Sequence, residues 1–306
     1  MRLKLGRPDI ANYRELFDVP GADPDAALSV TWLGVSTLLV DDGATALLTD
    51  GFFSRPGLLD VALRRLTPSD SRIDYCLTRA KINRLAAVLP VHTHFDHAMD
   101  SGIVAARTGA RLIGGESAAN IARGQGLSAD QIVVTTSGQD LELGPFTLTL
   151  IESHHCPPDR FPGPITAPVA PPARASAFRC GEAWSTLIHH APSDRRLLIQ
   201  GSAGFLPGAL DGRRADVAYL GVGQLGVQPQ DYIEHYWEQT VAAVGARTVV
   251  LIHWDDFFRP LTEPMIALPY AGDDLHVSMR VLSRLAQRDG VGLHLPTVWQ
   301  RADPWI

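Results

Sequence analysis

The sequence predicts an α/β protein built as an αββα sandwich, two mixed β-sheets packed face to face with helices on their outer faces. Three observations predict it. Apolar runs of strand length come first in hairpins and then alternate with helical segments, in both halves of the chain. One strand in each half runs straight into a histidine, His92 in the first and His253 in the second. The length of 306 residues, with 45% hydrophobic and 20% charged, suits a globular chain able to bury a substantial core.

Taken in order, 28–33 and 37–40 read as strands. Asp41-Asp42-Gly43 then turns into a third at 46–49, since Asp-Gly between apolar runs is a hairpin signal. Segments 58–66 and 74–87 read as helices, with Pro56 and Pro68 as breakers. The short apolar run 86–91 leads into His92. A helix over 98–108 stops at Gly109, a strand covers 111–113 and a second helix 116–124. In the second half, strands are expected at 131–136, 145–151, 184–190 and 195–200, the last two joined through Pro192-Ser193-Asp194. A helix over 230–244, a strand over 248–252, a helix over 274–288 and a strand over 291–295 complete the order. Residues 157–172 hold seven prolines and no element. Beginning two residues after His155, this stretch reads as a loop covering a site. There is no internal repeat, and 1–306 reads as a single domain.

The sharpest motif is His92-Thr93-His94-Phe95-Asp96-His97. His92 and His94 are two apart on an extended segment, so both side chains leave one face. Asp96 and His97 follow where the chain turns before the helix expected at 98, so they can point back at the same volume. Imidazoles and a carboxylate converging there suit Zn²⁺, which takes N and O ligands. With this composition, His-x-His-x-Asp-His arises by chance roughly once in a thousand such sequences, so accident is a weak explanation.

The motif resembles the signature of the metallo-β-lactamase superfamily, and other segments fall in the order that family requires. Trp32-Leu33-Gly34 with Ser36-Thr37, then Leu48-Thr49-Asp50-Gly51, looks like the family's opening hairpin, ending in an aspartate near the metals. Residues 147–156 look like the strand delivering the third histidine of the first metal site. Val249-Val250-Leu251-Ile252-His253-Trp254 looks like the strand delivering the last histidine of the second. With Phe257 and Glu263-Pro264, the late segment looks closest to the branch containing ascorbate-6-phosphate lactonase and N-acyl-phosphatidylethanolamine phospholipase D. The resemblance spans nearly the whole chain from about residue 28.

By that resemblance the first site is His92, His94 and one of His154 or His155, with His155 preferred as the last position of the strand ending. The second is Asp96, His97 and His253. Asp96 would also orient the nucleophile, and Asp50 would fix a ligand imidazole by a hydrogen bond. In one departure, Ser202 stands where most hydrolytic branches carry the aspartate that bridges both metals. A missing carboxylate leaves the two ions less compensated, so the second should bind more weakly and one or two Zn²⁺ per chain are expected. Ser202 would instead hydrogen-bond the bound water.

The residues suit a zinc-dependent hydrolase that uses metal-bound hydroxide, and the resemblance implies a small-molecule ester, lactone or amide as its substrate. A phosphodiesterase of the same fold competes with it, and loss of the bridging aspartate counts against that chemistry. An iron-dependent redox protein and a non-catalytic metal binder also share the fold. A net charge of -6 gives no reason to expect nucleic acid. No segment approaches the apolar length of a membrane span, and no signal-peptide run follows the first residues. Three cysteines, Cys76, Cys156 and Cys180, make no disulfide framework. A cytoplasmic protein is expected, with homo-oligomerisation left open. His189, His190, His235, His276 and His294 have no ligand spacing, and packing or solvent exposure is expected for them. Asp255 or Asp256 could supply a compensating carboxylate, but both are expected to be solvated.

Overall fold

The computed structural model describes residues 4–305; residues 1–3 and 306, the ends of the expected 1–306 domain, lie outside it. The first half contributes β1 (Ser29–Trp32), β2 (Leu38–Asp41), β3 (Ala46–Thr49), α1 (Leu58–Leu63), α2 (Asp70–Arg79), β4 (Ala87–Leu89), α3 (Phe95–Ala98), α4 (Ser101–Thr108), β5 (Arg111–Gly114), α5 (Glu116–Gly124) and β6 (Ile132–Val134). The second half adds β7 (Asp140–Leu143), β8 (Phe146–Ser153), β9 (Ala183–His190), β10 (Arg195–Gln200), β11 (Val217–Gly221), α6 (Gln230–Trp237), β12 (Thr248–Ile252), α7 (Leu275–Asp289), β13 (Gly292–His294) and β14 (Arg301–Ala302).

These strands form two 7-stranded sheets, ordered β14-β1-β2-β3-β4-β5-β6 and β13-β12-β11-β10-β9-β8-β7. Each sheet is mixed. Pairing is antiparallel from β14 to β3 and parallel from β3 to β6. It is antiparallel from β7 to β10 and parallel from β10 to β13. The period-2 alternation of strands sorts the side chains. Leu38, Val40, Leu47, Ala87 and Leu89 join the core shared with Leu148, Leu150 and Ile188 of the second sheet. Their alternates Leu39, Leu48 and Val88 face Ile73 and Leu77 of α2, Val104 of α4 and Ala118 of α5. Ile233 and Trp237 of α6 and Leu282 of α7 cover the second sheet. The αββα order read from the sequence is the order observed.

The departures are local and have local causes. The helix expected over 74–87 instead occupies Asp70–Arg79: it starts after Ser69, whose side chain makes no capping hydrogen bond, and Lys81 at φ 57 follows its C-cap Ala80. Ile82 and Leu85 are buried without being helical. The helix expected over 58–66 stops at Leu63, and Leu66 pairs with Ala173 across an isolated bridge. The helix expected over 98–108 is two helices. The first begins at Phe95, so Asp96 and His97 sit on a helical turn instead of preceding one. The helix expected over 230–244 spans those residues, with Glu238–Ala242 wound as a π-helix after α6. Strands β7, β11 and β14 were not expected. No helix or strand lies within 157–172, and no helix among the described residues is long and apolar enough to cross a membrane.

Candidate metal centre

Parallel pairing aligns the carboxyl ends of β3 and β4, and those of β8, β10 and β12 lie at one edge of the other sheet. Five candidate segments therefore leave the sandwich along its edges: Asp50 after β3, His92–His97 after β4, His155 after β8, Ser202 after β10 and His253 after β12. Asp50 ties the first two together. Its amide donates to Leu89 O at 3.1 Å, and its Oδ1 accepts the Val91 amide at 2.9 Å. Asp50 and His253 hold positive φ (51 and 58), as does Val35 (50), whose carbonyl accepts the His253 amide at 3.0 Å. Non-glycine residues in that region are uncommon and persist where surroundings over-determine them.

The donors gather in two adjoining groups. In the first, His92 Nε2 and His94 Nδ1 are 3.1 Å apart, and the His155 ring lies 4.8 Å from that of His92 and 4.6 Å from that of His94. In the second, Asp96 Oδ2 lies 3.6 Å from both His97 Nε2 and His253 Nε2. The rings of His92 and His97, one from each group, are 3.9 Å apart. Ligands about 2.1 Å from a tetrahedral ion stand roughly 3.4 Å from one another, so both separations fit one ion per group. His155, not His154, faces the first group; His154 is exposed. His155 Nδ1 donates to Cys156 O at 2.6 Å, which leaves Nε2 as the free donor atom.

Burial sets the electrostatics. It holds His92 well below the ordinary imidazole range, helped by the neighbouring rings of His97, His155, His94 and His253. His155 is lowered to about 4, by burial and then by His94. His253 is lowered by burial and by His97. These imidazoles are thus neutral and can present lone pairs. For His97, burial pulls downward but the Asp50 and Asp96 carboxylates prevail and raise it. Burial raises Asp96, yet His97, His253 and His94 outweigh it and keep the carboxyl low.

Around the donors stands a buried supporting layer. His97 Nδ1 donates to Asp50 Oδ2 at 2.9 Å, and the Ser36 hydroxyl donates to the same oxygen at 2.6 Å. A Cβ on Gly223 would meet His253 Nδ1 at 2.9 Å, so only glycine lets the late histidine lie there. Ser202 Oγ accepts the Cys156 amide at 3.0 Å, the residue after His155. Asp255 and Asp256 are not solvated as expected. Both are buried, Asp255 paired with Arg55 at 2.6 Å and Asp256 with Arg7 at 2.9 Å, and Asp255 also accepts the Val35 amide at 2.9 Å. His235 is exposed. His190 packs on Phe146, while His189, His276 and His294 bond to Asp194, Tyr13 and Asp18. The three cysteines are free and buried.

No protein-family model matches the chain. A metal-dependent hydrolase of Anaeromyxobacter sp. (strain K) is 30% identical over 141 residues, covering 44% of this chain; the match spans about half of that relative, 46% of its length. The metallo-β-lactamase fold protein YhfI from Bacillus subtilis superposes with a TM-score of 0.50 at 15% identity, over 89% of this chain and 96% of that one. The chain has the metallo-β-lactamase fold. CmlA, a diiron β-hydroxylase from Streptomyces venezuelae, superposes with a TM-score of 0.54 at 12% identity, over 91% of this chain and 54% of its own.

Within this metallo-β-lactamase fold a cavity of about 440 Å³ opens beside the first donor group. It is lined by His154, His155, Asp159, Gly181, Phe205 and Tyr232, among others. The proline-rich loop supplies Pro157, Asp159 and Gly163 to its wall. Asp159, Gly223 and Arg55 are neighbours of the centre that no sequence motif singles out. Only the loop's position after His155 points toward any of them.

Proposed function

We propose that this chain is a metal-dependent hydrolase that holds one or two zinc ions and acts on a small uncharged ester, lactone or amide. The observation that carries the proposal is the pair of donor groups sharing one edge of the sandwich, His92, His94 and His155 beside Asp96, His97 and His253. Five imidazoles and one carboxylate form a nitrogen-rich set that favours zinc over the oxygen-seeking cations. The diiron neighbour makes iron the metal to test against. A divalent cation held there would supply Lewis acidity and would lower the pKa of a bound water toward neutrality.

The residues themselves do the rest. Asp96 holds its carboxylate between the His97 and His253 rings, where it can both bind an ion and accept a proton. Asp50 accepts the His97 Nδ1 proton and so leaves Nε2 as the nitrogen that would hold an ion. Ser202 adds no carboxylate, which supports a second ion held less tightly than the first. Among the described residues, the cavity wall carries the Asp159 carboxylate and no lysine or arginine. That favours an uncharged substrate over a phosphodiester, whose anion would meet a carboxylate. Because the donors come from both sheets, we read 1–306 as one domain.

The experiment is elemental analysis of protein purified without chelator, followed by hydrolysis assays on lactones, amides and phosphodiesters. One or two zinc ions per chain, with chelator-sensitive turnover of a lactone or amide, is the expected result. Iron in place of zinc, or turnover that survives chelation, would overturn the proposal.

A further inference from the structure

The proline-rich loop reaches the first donor group through one side chain. Asp159 Oδ1 stands 3.1 Å from His94 Nε2. This is the ring nitrogen opposite Nδ1, which lies 3.1 Å from His92 Nε2. With Nδ1 turned toward the donor group, Nε2 carries the ring proton and donates it to Asp159. A carboxylate on the far nitrogen of a ligating imidazole fixes the tautomer and ring plane and makes the ligating nitrogen more basic.

The carboxylate is itself held in place. The same Oδ1 accepts the Phe161 amide at 3.0 Å. The loop is tied down along its length: Cys180 N donates to Phe161 O at 2.8 Å, Gly181 N to Gly163 O at 3.1 Å, and Asn120 Nδ2 to Ile165 O at 2.7 Å. Thr93, between the two histidines, donates its amide to Cys180 O at 2.8 Å and its hydroxyl to Arg179 O at 2.5 Å. The segment 179–181 thus clamps the histidine motif on one side and the loop on the other, with Asp159 and His94 meeting between them.

We infer that Asp159 is a positioning residue for His94, through which the proline-rich loop sets the orientation of a ligand in the first metal group. The inference rests on the metal-centre reading above. One competing arrangement is specific: donor atoms of His94, Asp159 and Cys180 also lie within 4.8 Å of one another. An ion among those three would make Asp159 a ligand and would require His94 to bridge two ions through both nitrogens.

The test uses the full chain stripped of metal, titrated with Zn²⁺ against a chromophoric chelator and loaded separately with Co²⁺ for visible absorption. Asp159→Ala is expected to weaken the tightest zinc site by about 10- to 100-fold and to shift the cobalt bands. Asp159→Asn, which still accepts the His94 proton but carries no charge, is expected to recover part of that loss. Should Asp159→Ala not fold, an Asp159→Asn affinity below wild type is the expected result. Wild-type affinity and an unchanged cobalt spectrum in Asp159→Ala would overturn the inference. So would a third metal equivalent in the wild type that Asp159→Ala loses. If the wild type itself takes up no metal, the metal-centre reading fails first and the inference fails with it.

Discussion

Arg55 Nη2 meets Asp255 Oδ2 at 2.6 Å with both side chains 1% exposed, joining the loop after β3 to the loop after β12. The other Asp255 oxygen accepts the Val35 amide at 2.9 Å, and Arg55 also donates to the carbonyls of Arg259 and Asp256. Val35 in turn holds the His253 amide, so the pair fixes the segment that carries the last histidine. Removing one partner leaves the other charge buried and alone. Arg55→Met is therefore expected to cost about 3–5 kcal/mol in urea unfolding. A loss below about 1 kcal/mol would mean that the site tolerates a lone Asp255, against this account.

The adjacent histidines make a sharper pair of variants. His155 is half-buried beside His92 and His94, while His154 is exposed at the cavity rim. His155→Ala is expected to remove the tightest zinc site, and His154→Ala to leave metal content at the wild-type level. The double variant His92→Ala with His94→Ala should likewise lose metal while its far-ultraviolet circular dichroism stays that of the wild type. Metal loss in His154→Ala with retention in His155→Ala would reverse the assignment.

The sandwich is legible in the sequence because its signals are local. Apolar runs and the Asp-Gly turn between them mark β1 to β3, and Pro192-Ser193-Asp194 marks the β9–β10 hairpin. The His92–His97 motif is legible for the same reason, all its members lying within six residues. Strand β7 hides because its alternation, Asp140-Leu141-Glu142-Leu143, is only four residues long at the sheet edge, and β14 because it is only Arg301–Ala302. Asp159, Gly223 and Arg55 meet the centre only through folding of distant segments, and no spacing announces them. Asp255 and Asp256 read as surface because two adjacent carboxylates usually are; their arginine partners lie 200 and 249 residues away.

Asp50 offers a test of support without ligation. Its two oxygens hold the Val91 amide and, together with the Ser36 hydroxyl, the His97 ring. Asp50→Asn keeps one acceptor and loses the charge. It is expected to weaken the second zinc site by about 10- to 100-fold while the first stays within a few-fold of wild type. Chelator competition reads both. Equal weakening of the two sites would show a general loosening of the edge instead of a selective effect through His97.

The last prediction concerns pH and lies away from the metals. Asp273 is buried, and its Oδ1 accepts the Gly226 amide at 2.9 Å and the Asp274 amide at 2.8 Å, pinning the loop before α7. Burial pushes its carboxyl up to about 7, against an unfolded value of about 4. Between those values the folded state binds the extra proton, so stability falls as pH rises. The contribution of Asp273 is fully present below the unfolded value and is lost as pH climbs through about 7. Asp273→Asn keeps Oδ1 as acceptor and cannot ionise. In urea unfolding it is expected to match the wild type near pH 4 and to exceed it above pH 7, by an amount on the order of a few kcal/mol. A variant no more stable than wild type at the higher pH would show that the native protein already solvates this carboxylate, and that burial does not govern it.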